Sequence, residues 1–370
     1  MHMDRFIKKQ ILLDLDEKMV FLAGPRQVGK TTLSKSLYKK FDYLNWDNDS
    51  DRSRILAKEF SQENLIIFDE IHKYKTWRNY LKGIYDKKNI TQKILVTGSA
   101  KLDTLRKGGD SLQGRYHFLR LMPLTFNELN MKSVSDAKNL FELSGFPEPY
   151  SFQSKIKANR WSRQYRERIV RQEVSSNEMI QDLANMEILY NRIPDLVGGT
   201  LSINSLSEDI QISHKTISNW INIFERLYGL FRLAPFGSPK IKALKKTQKV
   251  FLYDWNAVTD NGARFENFLA VHILKWVFYQ QDCFGRNIEL RYYRDKYHRE
   301  VDFVITENNK PIFFIEAKYS DAEVSPALIY LKNKFPHVNS MQLHMNGKKD
   351  YVSQHGIRVT NVINYLAELI

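Results

Sequence analysis

A glycine-rich loop near the N-terminus carries the residue types that bind a phosphate chain. An apolar run at 19–23 is followed by the pattern GxxxxGK[ST], whose residues are Gly24, Pro25, Arg26, Gln27, Val28, Gly29, Lys30 and Thr31, with Thr32 next. The glycines let backbone N–H groups wrap phosphates, and the helix that follows points its positive end at them. Lys30 is expected to pair with the β- and γ-phosphates, and Thr31 to hold Mg²⁺. The motif predicts ATP and Mg²⁺ as cofactors.

Two acids follow a second apolar run at 65–68. Asp69 is expected to fix the shell of the Mg²⁺ ion, and Glu70 to orient or deprotonate the attacking water. A pair of solvated acids at a strand end is the competing interpretation. The nearby glycine-rich loop favours the catalytic one.

Two further residues are candidates for the same site. The apolar run 94–97 leads to Gly98 and then Ser99, a small polar side chain that could sense the γ-phosphate and water. Arg115 could supply the cation that neutralises charge developing in phosphoryl transfer. A surface arginine is the alternative interpretation of Arg115.

Acids and a lysine also alternate near the C-terminus. In the run 312–318 the period of two of a strand places Glu316 and Lys318 on one face. The run before it carries Asp302, and the turn at 307–310 allows the two strands to form a hairpin. This hairpin is expected to bring Asp302 towards Glu316.

A polar helix face between residues 213 and 221 is a candidate for nucleic-acid contact. Ile217, Trp220 and Ile221 are expected to face the core, and the outward side chains are Lys215, Thr216, Ser218 and Asn219. Outward residues of these types suit phosphates and base edges. A helical hairpin used for protein packing remains open as the alternative.

The order of sequence patterns indicates which elements position these residues. Short apolar runs alternate with amphipathic stretches between about 20 and 120, which predicts a parallel sheet whose strand ends collect the loops. Helical spacing dominates 135–196, and two helices followed by an apolar run between 201 and 235 predict a winged helix-turn-helix. An α+β pattern follows the basic segment Lys240–Lys249.

Composition limits the classes of partner. The formal net charge is +14 and the sequence pI is about 9.5, which favours a polyanion such as DNA. The single cysteine, Cys283, allows no disulfide within the chain, and no long apolar span is present. We expect a cytoplasmic protein that does not enter a membrane.

As a whole the sequence resembles the AAA-type ATPases of bacteria and archaea that carry a C-terminal nuclease-like domain. The matching segments are the glycine-rich loop, 68–72, 97–99, 112–115, 145–148 and 299–303. The similarity covers nearly the whole chain. It implies ATP hydrolysis and a homo-oligomer in which an arginine is supplied across the interface.

The C-terminal acids resemble the core of PD-(D/E)XK nucleases. This resemblance implies that Asp302 and Glu316 are metal ligands, that Lys318 stabilises charge, and that Glu266 is an accessory acid. The first acid motif here reads Glu300-Val301-Asp302, without the usual proline. An intact metal site, a nuclease fold kept only for binding, and coincidence therefore all remain open.

The predicted fold is α/β, with a P-loop NTPase parallel sheet at residues 1–134 and a helical lid at 135–196. A winged helix-turn-helix at 197–236 and an α+β restriction-endonuclease-like domain at 237–370 complete it. The first functional hypothesis is an ATP-hydrolysing protein that binds nucleic acid and cleaves DNA with Mg²⁺. The alternative is an ATP-controlled DNA- or protein-binding module with a catalytically inactive nuclease fold. A membrane-surface ATPase is disfavoured because no strongly basic amphipathic helix stands out.

Overall fold

The computed structural model describes residues 5–87, 92–98, 112–174, 182–237 and 248–369. These residues divide into two units, the first comprising the chain up to Met122 together with Arg226–Tyr228, and the second comprising the rest. The finer division into four domains stays a prediction. Among the described residues, no helix has the length and apolar character needed to cross a membrane.

The first unit is built on a five-stranded parallel sheet in the order β2-β3-β4-β1-β5. Its strands are β1 (Met19–Ala23), β2 (Asp42–Asn45), β3 (Leu65–Asp69), β4 (Lys93–Thr97) and β5 (Tyr116–Arg120). The predicted apolar runs are confirmed as strands, and β1 and β3 are buried along their full length. Continuous apolar strands of this kind occur in parallel sheets covered on both faces. Because all five strands run the same way, the loops after β1, β3 and β4 meet at one edge.

The helices of this unit are α1 (Ile7–Glu17), α2 (Lys30–Lys35), α3 (Asp49–Ala57) and α4 (Trp77–Asp86). Helix α4 buries Trp77, Leu81 and Ile84 in the same apolar cluster as Phe21 of β1. The rings of Phe21 and Trp77 meet edge to face, with centroids 6.1 Å apart. This core fixes the sheet from which the glycine-rich loop emerges.

The second unit begins with the helices that the sequence predicts between 135 and 196. They are α5 (Val134–Leu143), α6 (Pro147–Ser151), α7 (Lys155–Arg168), a π-helix (Ile169–Val174) and α8 (Leu183–Arg192). Trp161 stacks on Tyr165 with ring centroids 4.8 Å apart. Buried Asp254 accepts hydrogen bonds from the hydroxyls of Ser144 and Ser162, which fixes the chain after these helices to their core.

Two helices and a two-stranded sheet follow in the order expected from the sequence. They are α9 (Ile203–Ile210), α10 (His214–Arg226), β6 (Leu230–Leu233) and β7 (Lys249–Leu252), and the two strands pair antiparallel. A winged helix stays a prediction for this segment. Residues 238–247, which hold most of the predicted basic stretch, lie outside the described residues.

A mixed six-stranded sheet in the order β12-β13-β11-β10-β9-β8 forms the C-terminal part. Its elements are α11 (Asn261–Phe284), β8 (Ile288–Arg294), β9 (Glu300–Glu307), β10 (Lys310–Lys318), α12 (Pro326–Lys334), β11 (Asn339–His344), β12 (Tyr351–Val352), β13 (Arg358–Asn361) and α13 (Val362–Leu366). The predicted hairpin is confirmed, because β9 and β10 pair antiparallel with Phe303 opposite Ile315. A restriction-endonuclease-like fold stays a prediction.

Candidate functional site

The glycine-rich loop between β1 and α2 has a backbone that only particular residues adopt. Gly24 has φ 139° and Gly29 has φ 98°, both in the region that favours glycine. A Cβ added at Gly24 would lie 2.1 Å from the carbonyl oxygen of Leu121, so the loop passes directly against the chain that leaves β5. The close approach explains why the first glycine of the motif is required.

Lys30 lies within the loop that precedes it. Its Nζ donates hydrogen bonds to the carbonyl oxygens of Gly24 at 2.9 Å and Pro25 at 2.7 Å, and the residue is 9% exposed. A buried ammonium needs negatively polarised partners, and phosphate oxygens are stronger ones than carbonyls. The loop, its lysine and the hydroxyl of Thr31 thus form a donor set that fits a nucleotide's phosphates.

Arg5 supports the loop from before α1, and no sequence pattern pointed to it. Its guanidinium donates to the carbonyl oxygen of Val28 at 2.9 Å and also to that of Met122. Arg5 is 6% exposed, so these bonds are shielded from water. Arg5 therefore fixes the middle of the glycine-rich loop. A local sequence motif does not include it, because it lies far from Val28 in sequence.

Asp69 is the centre of a hydrogen-bonded cluster at the end of β3. Its Oδ2 accepts from the Thr31 hydroxyl at 3.1 Å and the Tyr43 hydroxyl at 2.7 Å, and its Oδ1 accepts from the Thr97 hydroxyl at 2.7 Å. The structure therefore brings together Thr31 and Asp69, the two residues expected to hold Mg²⁺. It adds Tyr43 and Thr97, which come from the neighbouring strands β2 and β4.

The sequence did not indicate that Tyr43 belongs to this site, because an aromatic residue in an apolar run is usually a core residue. Burial raises the pKa of its phenol, and the hydrogen bond to Asp69 raises it further, so the hydroxyl remains a donor. The ammonium of Lys35 lies 3.6 Å from the centre of its ring. The position of β2 beside β3 is the signal that would have identified Tyr43, once the strand order was known.

Glu70 adopts a left-handed backbone at φ 56° and ψ 18°, and its N–H donates to the Thr97 carbonyl at 3.0 Å. Its Oε2 lies 3.5 Å from both Lys73 Nζ and His72 Nε2. Burial raises the pKa of the Glu70 carboxyl, and the Lys73 ammonium opposes that change. A carboxylate made more basic in this way is suited to accept a proton from water.

Arg115 lies away from the glycine-rich loop of its own chain, and its role in phosphoryl transfer stays a prediction. It precedes β5, where Tyr116 pairs with Met19, whereas the loop follows Ala23 at the other end of β1. Its guanidinium instead forms a forked pair with Asp86, with Nε at 2.8 Å and Nη2 at 3.1 Å from the two carboxylate oxygens. Ser99 lies outside the described residues.

Comparison with known proteins gives three family matches along the chain. Residues 16–130 match a family described as an AAA domain. This part of the chain is similar to AAA-type ATPase domains. Residues 134–256 and 261–365 match two domains of unknown function, DUF8612 and DUF4143.

The curated relatives are distant and longer. The uncharacterized proteins Rv2008c of Mycobacterium tuberculosis and Mb2031c of Mycobacterium bovis are each 22% identical over 241 residues, covering 64% of this chain and 54% of theirs. The uncharacterized protein MJ1637 of Methanocaldococcus jannaschii is 25% identical over 290 residues, covering 63% and 60%. The chain thus spans little more than half the length of the curated relatives it matches.

Two solved structures are similar at a low level. A RuvB variant of Thermotoga maritima is 20% identical with a TM-score of 0.30, covering 61% of this chain and 88% of its own. A signal-transduction ATPase of the STAND class from Pyrococcus horikoshii is 10% identical with a TM-score of 0.27, covering 77% and 48%. TM-scores this low do not support a shared fold, so the similarity to AAA domains depends on the family match over residues 16–130.

The C-terminal acids surround a lysine that the sequence did not single out. Lys249 Nζ lies 2.9 Å from Glu266 Oε1, 2.6 Å from Glu300 Oε1 and 3.2 Å from Asp302 Oδ1. The side chain of Lys249 is 1% exposed. Burial alone would lower the pKa of Lys249, but the three carboxylates raise it, so the ammonium stays charged.

The other two predicted residues of this group pair with each other. Lys318 Nζ donates to Glu316 Oε1 at 2.8 Å, while Glu316 Oε2 is buried and has no hydrogen-bond partner among the described residues. Asp302 Oδ2 accepts from the N–H of Ala317 at 2.9 Å. Burial, and then Asp302, raise the pKa of Glu316 to about 7 and that of Glu266 to about 8.

These contacts describe the acids at which the sequence predicts a metal site, Glu266, Asp302 and Glu316. Across the described ranges, no three or more His, Cys, Asp or Glu side chains are arranged to hold a metal ion. The physical reason is that Lys249 binds oxygens of Glu266 and Asp302, and Lys318 binds Glu316, so the acids are directed at ammonium groups. A metal site at these acids stays a prediction.

Helix α10 is the candidate for nucleic-acid contact, and the side chains predicted to face the core are buried. Ile217, Trp220 and Ile221 are buried, while Lys215 and Asn219 are exposed. The hydroxyl of the half-buried Thr216 lies 2.8 Å from that of Ser213, next to the helix start. The outward face of α10 therefore offers the Lys215 ammonium and the Asn219 amide to a partner.

Proposed function

We propose that this chain binds ATP with Mg²⁺ and hydrolyses it at the edge of the parallel sheet where β1, β3 and β4 end. The observation that carries the proposal is the meeting of Thr31 and Asp69, which come from separate segments and share a hydrogen bond of 3.1 Å beside Lys30. An AAA-type domain match over residues 16–130 supports it.

Each residue of this edge has a role that its contacts suit. Lys30 would exchange its two carbonyl partners for oxygens of the β- and γ-phosphates. Thr31 and Asp69 would hold Mg²⁺, which supplies neutralisation of the phosphate charge. Glu70 would orient the attacking water and accept its proton, since burial makes its carboxylate more basic.

Calorimetry with ATP and Mg²⁺, together with a phosphate-release assay, tests this proposal. The unmodified chain is expected to bind and to turn over, and Lys30→Ala is expected to lose both. Lys18→Ala is the matched control, because Lys18 directly precedes β1 at the end away from the loop. No heat of binding in the unmodified chain, or full activity in Lys30→Ala, would overturn the assignment.

We also propose that the outward face of α10 contacts nucleic acid, which would make the chain an ATP-controlled binding module. The observation favouring this second function is the exposure of Lys215 and Asn219 on one helix face of a chain with net charge +14. Exposed cations and amides suit phosphates and base edges. A partner protein on the same face is the competing occupant.

Fluorescence anisotropy with a labelled DNA duplex at several salt concentrations separates these occupants. Binding that weakens steeply with salt and is reduced in Lys215→Glu supports nucleic acid. Arg163→Glu on α7 is a control of equal charge change, because Arg163 is largely exposed on another helix. Equal binding by all three proteins, or none by any, would remove this function from α10.

A further inference from the structure

We infer that the ammonium of Lys249 is the cation that the chain itself supplies to the acid cluster formed by Glu266, Glu300 and Asp302. Through this contact Lys249 connects the β6–β7 hairpin to the sheet that follows. The lysine and the acids come from different parts of the second unit. Lys249 belongs to the region 134–256. Glu266 belongs to the region 261–365, and so do Glu300 and Asp302, which lie on its strand β9. The cluster therefore joins two matched domains through one charge.

The geometry is that of hydrogen bonds to an ammonium group. A lysine has three N–H donors, and Lys249 has three carboxylate oxygens at 2.6 to 3.2 Å from its nitrogen. Oxygen ligands of Mg²⁺ stand closer, at about 2.0–2.1 Å, and take a near-octahedral arrangement. The three N–H donors of Lys249 are accordingly matched by one oxygen from each of the three acids.

Because the cluster is buried, the lysine and the acids each need the opposite charge of the other to remain ionised. The side chains of Lys249, Glu266 and Asp302 are 1%, 12% and 14% exposed. An isolated charge at such depth is strongly disfavoured, and removing one partner leaves the others uncompensated. The ring of Tyr292 on β8 lies 5.8 Å from the same nitrogen and closes another side of the group.

Further backbone contacts hold the lysine at this place. Lys249 pairs with Leu233 of β6 and forms a bridge to Thr200, and the N–H of Leu201 donates to the Gln248 carbonyl at 2.7 Å. The lysine thus enters the cluster from a fixed strand and not from a freely moving loop. Its position follows from the pairing of β6 and β7.

A manganese-binding measurement without nucleotide tests this assignment. All proteins carry Asp69→Asn, which removes the carboxylate proposed to hold a metal ion at the loop site, and bound Mn²⁺ is measured by calorimetry or electron paramagnetic resonance. We expect no Mn²⁺ binding while Lys249 is present and a gain of binding in Lys249→Met, which exposes the acids to an external cation. Adding Asp302→Asn to Lys249→Met should abolish the gain.

Thermal unfolding provides the second readout. Lys249→Met is expected to lower the Tm by roughly 10 °C, because it leaves buried acids unpaired. Neutralising Glu266, Glu300 and Asp302 to the corresponding amides in the same chain should recover part of the loss. The control Lys318→Met removes a lysine that is 39% exposed and should cost much less.

The two readouts together decide the inference, even where one variant folds poorly. Mn²⁺ binding by the chain with Lys249 intact, lost on Asp302→Asn, would show that a metal takes this cluster and would overturn it. An unchanged Tm in Lys249→Met would also overturn it. Failure of ATP binding at the first unit would leave this inference unaffected.

Discussion

Among single residues, Asp69 is held by three hydroxyl groups at the end of β3. Thr31, Tyr43 and Thr97 each donate to this carboxylate, and they come from three different segments of the chain. Hydrogen bonds to a charged acceptor contribute more than neutral ones. The acid expected to hold Mg²⁺ is therefore fixed in place before any ligand binds.

Tyr43→Phe is expected to weaken this fixation without disturbing the core. The substitution keeps the ring under the Lys35 ammonium and removes one of the donors to Asp69. We expect a loss of about 1–3 kcal/mol in the free energy of unfolding and a higher Mg²⁺ requirement for ATP binding. Urea unfolding and calorimetry at several Mg²⁺ concentrations measure the two effects.

Tyr38→Phe is the matched control, because its hydroxyl accepts from Lys93 and not from a group around Asp69. It should leave the Mg²⁺ requirement unchanged. A Tyr43→Phe protein that needs no more Mg²⁺ than the unmodified chain would show that the phenol does not position Asp69.

Glu70→Gln is expected to separate binding from hydrolysis. The amide keeps the shape of the side chain but cannot accept a proton, so turnover should fall by about 100-fold or more while ATP affinity is retained. Because burial raises the pKa of Glu70 above 4.5, turnover should also decline on acidification at a higher pH than an ordinary glutamate would give. Equal turnover in the two proteins would exclude Glu70 as the base.

At the scale of elements, the backbone of the glycine-rich loop decides whether a site forms at all. The loop fits against Leu121 only because Gly24 has no side chain. Strand order then places β4 next to β1 and β3 next to β4, so that Asp69 and Thr97 stand at the same edge as Lys30. The same order places Arg115 at the other edge, where Asp86 pairs with it.

Two glycine substitutions test the importance of this loop. Gly24→Ala should abolish ATP binding and lower the Tm, because its Cβ would meet a backbone oxygen that cannot move aside. Gly83→Ala, within α4 and with open space around it, should raise stability by about 0.5–1 kcal/mol. ATP binding that survives Gly24→Ala would mean that the loop adopts another path.

Arg115→Ala should leave the ATP affinity of a single chain unchanged, in contrast to Lys30→Ala. The reason is its position before β5, a full strand length from the loop. Calorimetry at a low protein concentration measures this. A large loss of affinity there would mean that Arg115 reaches the loop of its own chain after all.

In the whole molecule, the first unit contains the residues proposed to bind phosphates, whereas the C-terminal acids form ion pairs with lysines. Glu266 and Asp302 contact Lys249, and Glu316 contacts Lys318. A phosphodiester resists attack until its charge is neutralised, and these acids do not form a metal group that would do so. The alternative weighed from the sequence, a nuclease-like fold kept only for binding, stays a prediction.

The chain is accordingly expected not to nick DNA. Supercoiled plasmid incubated with Mg²⁺ or Mn²⁺ should remain intact with the unmodified protein, with Lys318→Ala and with Asp302→Ala alike. Gel electrophoresis of the plasmid reads the result. Nicking by the unmodified protein that both variants lose would restore the metal-dependent nuclease.

The sequence alone determined the parts of this protein that depend on neighbours in the chain. The loop from Gly24 to Thr31, the apolar strands and the β9–β10 hairpin follow from local spacing, because turn chemistry and periodicity act over a few residues. The acids Asp69 and Glu70 could be assigned because they follow an apolar strand directly.

Tertiary structure decided what lies beside these residues. Lys249 ends the basic segment Lys240–Lys249, yet its side chain is buried among acids. Likewise, the roles of Arg5, Tyr43 and Arg115 depend on the order in which strands pair. Local sequence does not encode that order, because strand pairing joins residues that are distant in the chain and is fixed only when the whole core packs.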